Sequence, residues 1–192
     1  LNIPADKQDK QITIYFEGAN HEVELFVNGI STGTHVGGYT RFSFDITNFV
    51  RVGEQNTFAM KVNNRQNENI PPLSADFTFF GGIYRDVYLI LTNKIHVSTT
   101  HYASSGVYFQ TPNVSKTEAQ VEIKTILTNA LVDKATVRVE HSVINPERKT
   151  ILTASKRIKL VQKASNSTDI QSIFIKNPAL WSPDSPALYN VI

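Results

Sequence analysis

Hydrophobic residues in this chain recur at every second position far more often than at every third or fourth. Ile12, Ile14 and Phe16 alternate with Gln11, Thr13 and Tyr15, the period of a strand with one face in a core. Val23, Leu25 and Val27 repeat the pattern and run into Asn28-Gly29, a dipeptide suited to the positive φ of a two-residue hairpin turn. Phe42 and Phe44 alternate before Asp45, and Phe58, Met60 and Val62 do so after Gly53-Glu54. Tyr84, Val87, Leu89 and Leu91 mark one more strand. Further on, Val121, Ile123, Thr125 and Leu127 alternate with Glu122, Lys124 and Ile126, and segments 135–144, 151–161 and 169–176 follow at turn-separated spacing. The nearest thing to a helical period is Asp45–Val50, a short turn at most. The pattern predicts an all-β chain.

Composition then divides it. Eight of the nine glycines lie at or before Gly82, and thirteen of the nineteen aromatic residues lie at or before Tyr88. The remainder is rich in Val, Ile, Thr and Lys. Length alone allows one domain or two, and the break favours two, residues 1–92 and 93–192, joined tightly at Thr92-Asn93. The second half carries about seven strand segments at turn-separated spacing, the signature of an immunoglobulin-like sandwich without its disulfide.

The 192 residues hold 19 Lys+Arg against 17 Asp+Glu, a net charge of +2, with 41% hydrophobic and 19% charged residues. That is ordinary globular composition. Near-balanced charge without a basic cluster offers no counter-ion release for nucleic acid, and no apolar run approaches the roughly 20 residues of a membrane-spanning helix. Neither nucleic acid nor membrane is expected as a partner. With no Cys, disulfides, thiolate metal sites and a cysteine nucleophile are excluded. Of the five histidines only His96 and His101 are close, and their odd spacing puts them on opposite strand faces. No metal site or cofactor is expected, and the histidines read as half-exposed strand and loop residues. Gly37-Gly38 and Gly81-Gly82 lack the partners of a phosphate loop and read as tight turns or bulges.

Two carboxylates stand out. Asp76 lies in Leu73-Ser74-Ala75-Asp76-Phe77-Thr78-Phe79-Phe80, a polar group among aromatics. A carboxylate beside ring faces suits carbohydrate, accepting hydroxyls while the rings cover the apolar CH face. The competing reading is a loop-capping aspartate. Arg85 and Asp86 are strand neighbours pointing to opposite faces, and read as structural anchors bonding to loops.

The run Phe16-Glu17-Gly18-Ala19-Asn20, then Val27-Asn28-Gly29, then Gly33 to Thr47, resembles the N-terminal sugar-binding domain of glycoside hydrolase family 2. That family includes β-galactosidases, β-glucuronidases and β-mannosidases. Asp76 to Val87 is similar to its most recognisable non-catalytic motif, and Asn177-Pro178-Ala179-Leu180-Trp181-Ser182-Pro183 to the end of its immunoglobulin-like domain.

The resemblance implies a jelly-roll-like β-sandwich, here lacking its first strands, followed by the immunoglobulin-like sandwich. It also implies a TIM barrel beyond residue 192 that carries the acid/base and nucleophile glutamates, so no catalytic residue is expected in this chain. Asp76 is implied to lie on a loop that reaches the barrel mouth and binds the terminal sugar, with Arg85 and Asp86 at structural positions. The implied partner is an oligosaccharide or β-glycoside substrate, met through a parent enzyme of β-galactosidase type. The missing strands would leave sheet edges open to pairing with a second copy as a homo-oligomer. A periplasmic or extracellular location follows from the resemblance alone, with the cytoplasm as alternative. The start at Leu1, without Met or signal-peptide features, fits a piece of a longer polypeptide. Two other readings remain open here: a stand-alone carbohydrate-binding module, and a structural tandem sandwich.

Overall fold

A computed structural model of the chain describes residues 1–74 and 76–192, the side chains at 164 and 165 excepted. The chain divides into two compact units, Leu1–Ser105 and Gly106–Ile192. Apart from a short 3-10 turn at Ala5–Lys7, the regular structure is strand throughout the described residues. The all-β architecture expected from the period of two is the one observed.

The first unit holds β1 (Gln11–Phe16), β2 (Ala19–Asn20), β3 (Glu22–Val27), β4 (Ile30–Val36), β5 (Phe42–Asp45), β6 (Phe58–Asn63), β7 (Gly82–Ile83), β8 (Val87–Thr92) and β9 (Ile95–Val97). Two antiparallel three-stranded sheets, ordered β5-β1-β8 and β4-β3-β6, face each other across one core. Ile12, Ile14 and Phe16 enter it from β1, and Val23, Leu25 and Val27 from β3. Phe16 stacks on Phe42 with centroids 4.8 Å apart; truncating so buried a ring to Ala costs about 3–5 kcal/mol. The β3–β4 hairpin closes through Asn28 at φ 52° and Gly29 at φ 83°, as the dipeptide predicted.

Two features depart from simple alternation. Thr13 is buried although it faces away from the core, because its Oγ1 bonds to Thr99 Oγ1 at 2.8 Å beneath residues that cover that face. Tyr84 lies outside β8, beyond the short strand β7.

The second unit holds β10 (Val107–Val114), β11 (Glu118–Asn129), β12 (Ala135–Ile144), β13 (Thr150–Leu160), β14 (Ala164–Lys176) and β15 (Asn190–Val191). Its sheets run β10-β11-β14 and β13-β12-β15 around Ile123, Val143, Ile173 and Ile175. β10 had no signal in the sequence: six of its eight residues are exposed and Pro112 interrupts it. Periodicity cannot mark a strand that buries so little.

His141 corrects the expectation of half-exposed histidines. It is 4% exposed inside this sandwich, and its Nε2 lies 2.9 Å from Thr125 Oγ1. Nearby on β14, the buried Asp169 meets Lys156 Nζ at 2.9 Å and accepts from Gln171 Nε2 at 2.8 Å. The Thr125–His141 and Lys156–Asp169 contacts join opposite sheets through polar groups that would be costly to bury alone. Lys156→Met should therefore lower unfolding stability by about 1–3 kcal/mol, less than a fully buried pair because half of Lys156 faces water. Urea unfolding of the variant with no loss of stability would contradict this role.

His35, on β4, stacks on Phe42 with centroids 4.1 Å and planes 11° apart. Burial holds its pKa below the ordinary 6.5, against a weaker opposing bond to the Gly37 carbonyl; burial likewise depresses His96. A histidine depressed by folding contributes stability in full above its unfolded value, and that contribution is lost as pH falls through the folded value. Thermal melts should show the first unit losing stability between about pH 7 and about pH 5, with a shallower slope in His35→Phe. Identical slopes in wild type, His35→Phe and His96→Phe would refute the assignment.

Candidate functional site

The site is assembled by the shortest ladder in the first unit. β2 pairs with β7 antiparallel, Ala19 opposite Ile83 and Asn20 opposite Gly82. This brings the segment after Phe16 against the Asp76–Val87 segment, some sixty residues later in the chain. Asn20, 5% exposed, donates from Nδ2 to the Phe80 carbonyl at 2.8 Å. Tyr84 Oη donates to the Gly38 carbonyl at 2.5 Å.

The glycine pairs make these approaches possible. A Cβ on Gly38 would stand 2.5 Å from Asn20 Oδ1, and one on Gly81 would stand 2.6 Å from Asn64 Cγ. Both distances are inside van der Waals contact, so the pairs serve close approach of chain to chain as well as turning. The base of the segment is tied by Glu22, which accepts from Asn63 Nδ2 at 2.5 Å and from Asn67 Nδ2 at 3.0 Å. His21 Nε2 lies 2.9 Å from the Arg65 carbonyl.

Two concavities flank Asn20. One, about 400 Å³, is lined by Asn20, Tyr39, Phe77, Thr78, Phe80 and Tyr84. The other, about 160 Å³, is lined by Asn20, His21, Tyr39, Asn64 and Asn67 with prolines and Phe79. Phe77 and Phe80 are mostly exposed despite their size, and Phe77 meets Phe79 edge-on at 5.2 Å. Apolar ring faces with amide and hydroxyl groups between them make a surface suited to a ligand that is apolar on one side and hydroxylated on the other.

Asp76 is exposed, immediately before Phe77. Among the described residues its carboxylate has no hydrogen-bond or ion-pair partner, so the loop-capping bonds of the competing reading are not observed. Arg85 is exposed, its guanidinium 5.4 Å from the Tyr84 ring centroid, and it forms no ion pair among the described residues. Asp86 accepts at its carbonyl from Glu17 N at 3.1 Å and at Oδ2 from the Tyr88 hydroxyl at 3.2 Å, which holds Tyr88 above its ordinary pKa. Asp76 is not among the residues lining either cavity but immediately precedes Phe77, which lines the larger one, while Arg85 and Asp86 lie toward β8. Asn20 and Tyr39, which line both cavities, were not singled out from sequence. Asn20 stood within a quoted run, but only the β2–β7 pairing shows that its amide is buried.

No described group of His, Asp or Glu side chains could hold a metal ion. The two cavities are lined among others by amides, hydroxyls and ring faces.

Both halves match one family. Residues 1–94 match the sugar-binding domain of glycosyl hydrolases family 2, and residues 105–192 match glycosyl hydrolases family 2. The chain belongs to glycosyl hydrolase family 2. A β-glucuronidase of Bacteroides fragilis is 36% identical over 193 residues, spanning 100% of this chain and 27% of that protein. A β-galactosidase of Thermoanaerobacter pseudethanolicus is 35% identical over 185 residues, 95% of this chain and 23% of its own length. The crystal structure of Bacteroides uniformis β-glucuronidase superposes with a TM-score of 0.91 at 36% identity, covering 100% of this chain and 23% of that one. This family 2 chain spans about a quarter of the length of these relatives.

Within the family 2 sugar-binding domain, Asn20→Ala should destabilise by about 1–3 kcal/mol, because the buried Asn20 amide no longer donates to the Phe80 carbonyl. Amide exchange should rise across residues 77–82 ahead of the rest of the first unit, as read by mass spectrometry. Gly38→Ala should act on the same residues by displacing Asn20. Unchanged exchange there in both variants would show that Asn20 does not hold the segment.

Proposed function

We propose that this chain is the non-catalytic, sugar-binding portion of a retaining family 2 glycosidase acting on β-galactoside-type substrates. In a retaining enzyme two carboxyl groups stand about 5–5.5 Å apart across the scissile bond. In this reading another part of the parent polypeptide supplies both. Asp76 orients the hydroxyls of the terminal sugar, and Phe77, Phe80 and Tyr39 cover its CH face. Binding energy gathered here contributes to rate by fixing the glycosidic bond in a reactive pose. Arg85 and Asp86 support the segment rather than touch sugar.

The observation that carries the reading is the exposed, unpartnered Asp76 carboxylate immediately before Phe77, whose ring lines the aromatic cavity of about 400 Å³. An exposed carboxylate with aromatic neighbours and an adjacent buried amide is the arrangement sugar hydroxyls need. Membership of the family and the sugar-binding match over residues 1–94 support it.

The chain by itself should release no nitrophenol from nitrophenyl β-galactoside or β-glucuronide. NMR titration with galactose should give millimolar binding with shifts centred on residues 76–84, and Asp76→Asn should weaken it several-fold with no change in melting temperature. Hydrolysis free of host enzyme, or galactose shifts that ignore Asp76→Asn, would overturn the proposal.

A further inference from the structure

We infer, resting on the function proposed above, that the smaller cavity beside Asn20 is a second sugar subsite. It holds the neutral sugar next to the one that Asp76 orients, which makes the substrate a neutral β-linked oligosaccharide.

One wall is built by alternation along residues 63–67. Asn63 and Asn67 both donate from Nδ2 to the Glu22 carboxylate, at 2.5 and 3.0 Å. Between them, Arg65 N donates to Asn63 Oδ1 at 3.1 Å, and the Arg65 carbonyl lies 2.9 Å from His21 Nε2. Residues 63, 65 and 67 are thus tied to the body of the first unit. Asn64 and Gln66, the residues between, are exposed and line the cavity. Their side-chain amides bond to no other group among the described residues. Asn64 is packed closely as well, since a Cβ on Gly81 would stand 2.6 Å from its Cγ. Every second residue fixes the segment, and the two between present amides that the fold does not use.

What the cavity takes follows from its lining. Pro71, Pro72 and Phe79 give it an apolar side, and Asn64 and Gln66 a polar one. A side-chain amide both donates and accepts, as a sugar hydroxyl does, while an apolar wall suits the CH face of the ring. Among the described residues no Asp, Glu, Lys or Arg lines it, so nothing there compensates a charged group taken out of water. That selects a neutral sugar over a uronate, a sulfate ester or an amino sugar. The volume of about 160 Å³ equals about five waters, the room of a single ring.

Position links this cavity to the larger one. Asn20 and Tyr39 line both. Phe77 of the larger meets Phe79 of the smaller, with centroids 5.2 Å and planes 77° apart. Neighbouring cavities with a shared wall fit neighbouring sugars of one chain, because the first ring, once bound, delivers the second at high effective concentration. Every lining residue falls within residues 20–79 of the first unit.

The test is an NMR titration of the chain with lactose, in which galactose carries a neutral neighbour, against galactose alone. Lactose should bind about tenfold more tightly, the gain expected of two further amide hydrogen bonds. It should also shift residues 64–67 and 79, which galactose leaves in place. Asn64→Ala combined with Gln66→Ala should lower lactose affinity about tenfold at an unchanged melting temperature. The shifts are read in the unaltered chain, whether or not the double variant folds. Equal affinity for the two sugars, no lactose shifts at residues 64–67, or equal loss of both sugars in the double variant would each overturn the second subsite. Galactose shifts that depend on Asp76 test the proposed function separately. If they hold while residues 64–67 ignore lactose, only the second subsite falls. If lactose moves residues 64–67 in a chain that ignores galactose, the second subsite stands and the role of Asp76 falls.

Discussion

The candidate site rests on one steric condition: three chain segments meet where no Cβ stands between them. Asn20 reaches the Phe80 carbonyl only because Gly38 leaves space at its Oδ1, and Gly81 leaves the same space for Asn64. The β2–β7 ladder is two residues long and would not hold by itself. It persists because the buried Asn20 amide and the partly buried Tyr84 hydroxyl bond add to it. The exposed aromatic cavity and the free Asp76 carboxylate are presented on that fixed base. A rigid support beneath an exposed recognition surface is what precise orientation of a small polar ligand requires.

The two units use the strand in different ways, which accounts for the break in composition. The first has strands of two to seven residues joined by segments that pass close to one another, so it needs glycine and large rings. The second has four strands of ten to thirteen residues, where β-branched and long polar side chains pack along extended ladders. Its interior also admits Thr125, His141, Asp169 and Gln171; Thr125 with His141 and Asp169 with Lys156 are paired across the core, and Gln171 bonds to Asp169 along β14. Such pairs are poor sources of stability but penalise any register that would separate them.

Membership of family 2 gives these units a context, since the chain spans about a quarter of its relatives' length. In the proposed reading the chemistry lies in the rest of the polypeptide and this portion fixes the sugar.

Local patterns carried a good deal. The period of two named β1, β3, β5, β6 and β11, and Asn28-Gly29 named its hairpin, because side-chain alternation and positive φ are properties of neighbouring residues. The ordered motifs within residues 16–47, 76–87 and 177–189 carried the family resemblance. Other features were illegible, since each depends on residues distant in sequence. Thr13 is buried by Thr99, Asn20 by the segment at Phe80, and His141 by the opposite sheet. β10 is a strand because β11 pairs with it, not because its own residues alternate. Asp76 could be read as a carboxylate among aromatics. That it stands exposed, with no hydrogen-bond partner among the described residues, was decided by how the chain folds back on itself, because burial and hydrogen-bond partners are supplied by whatever comes to lie alongside.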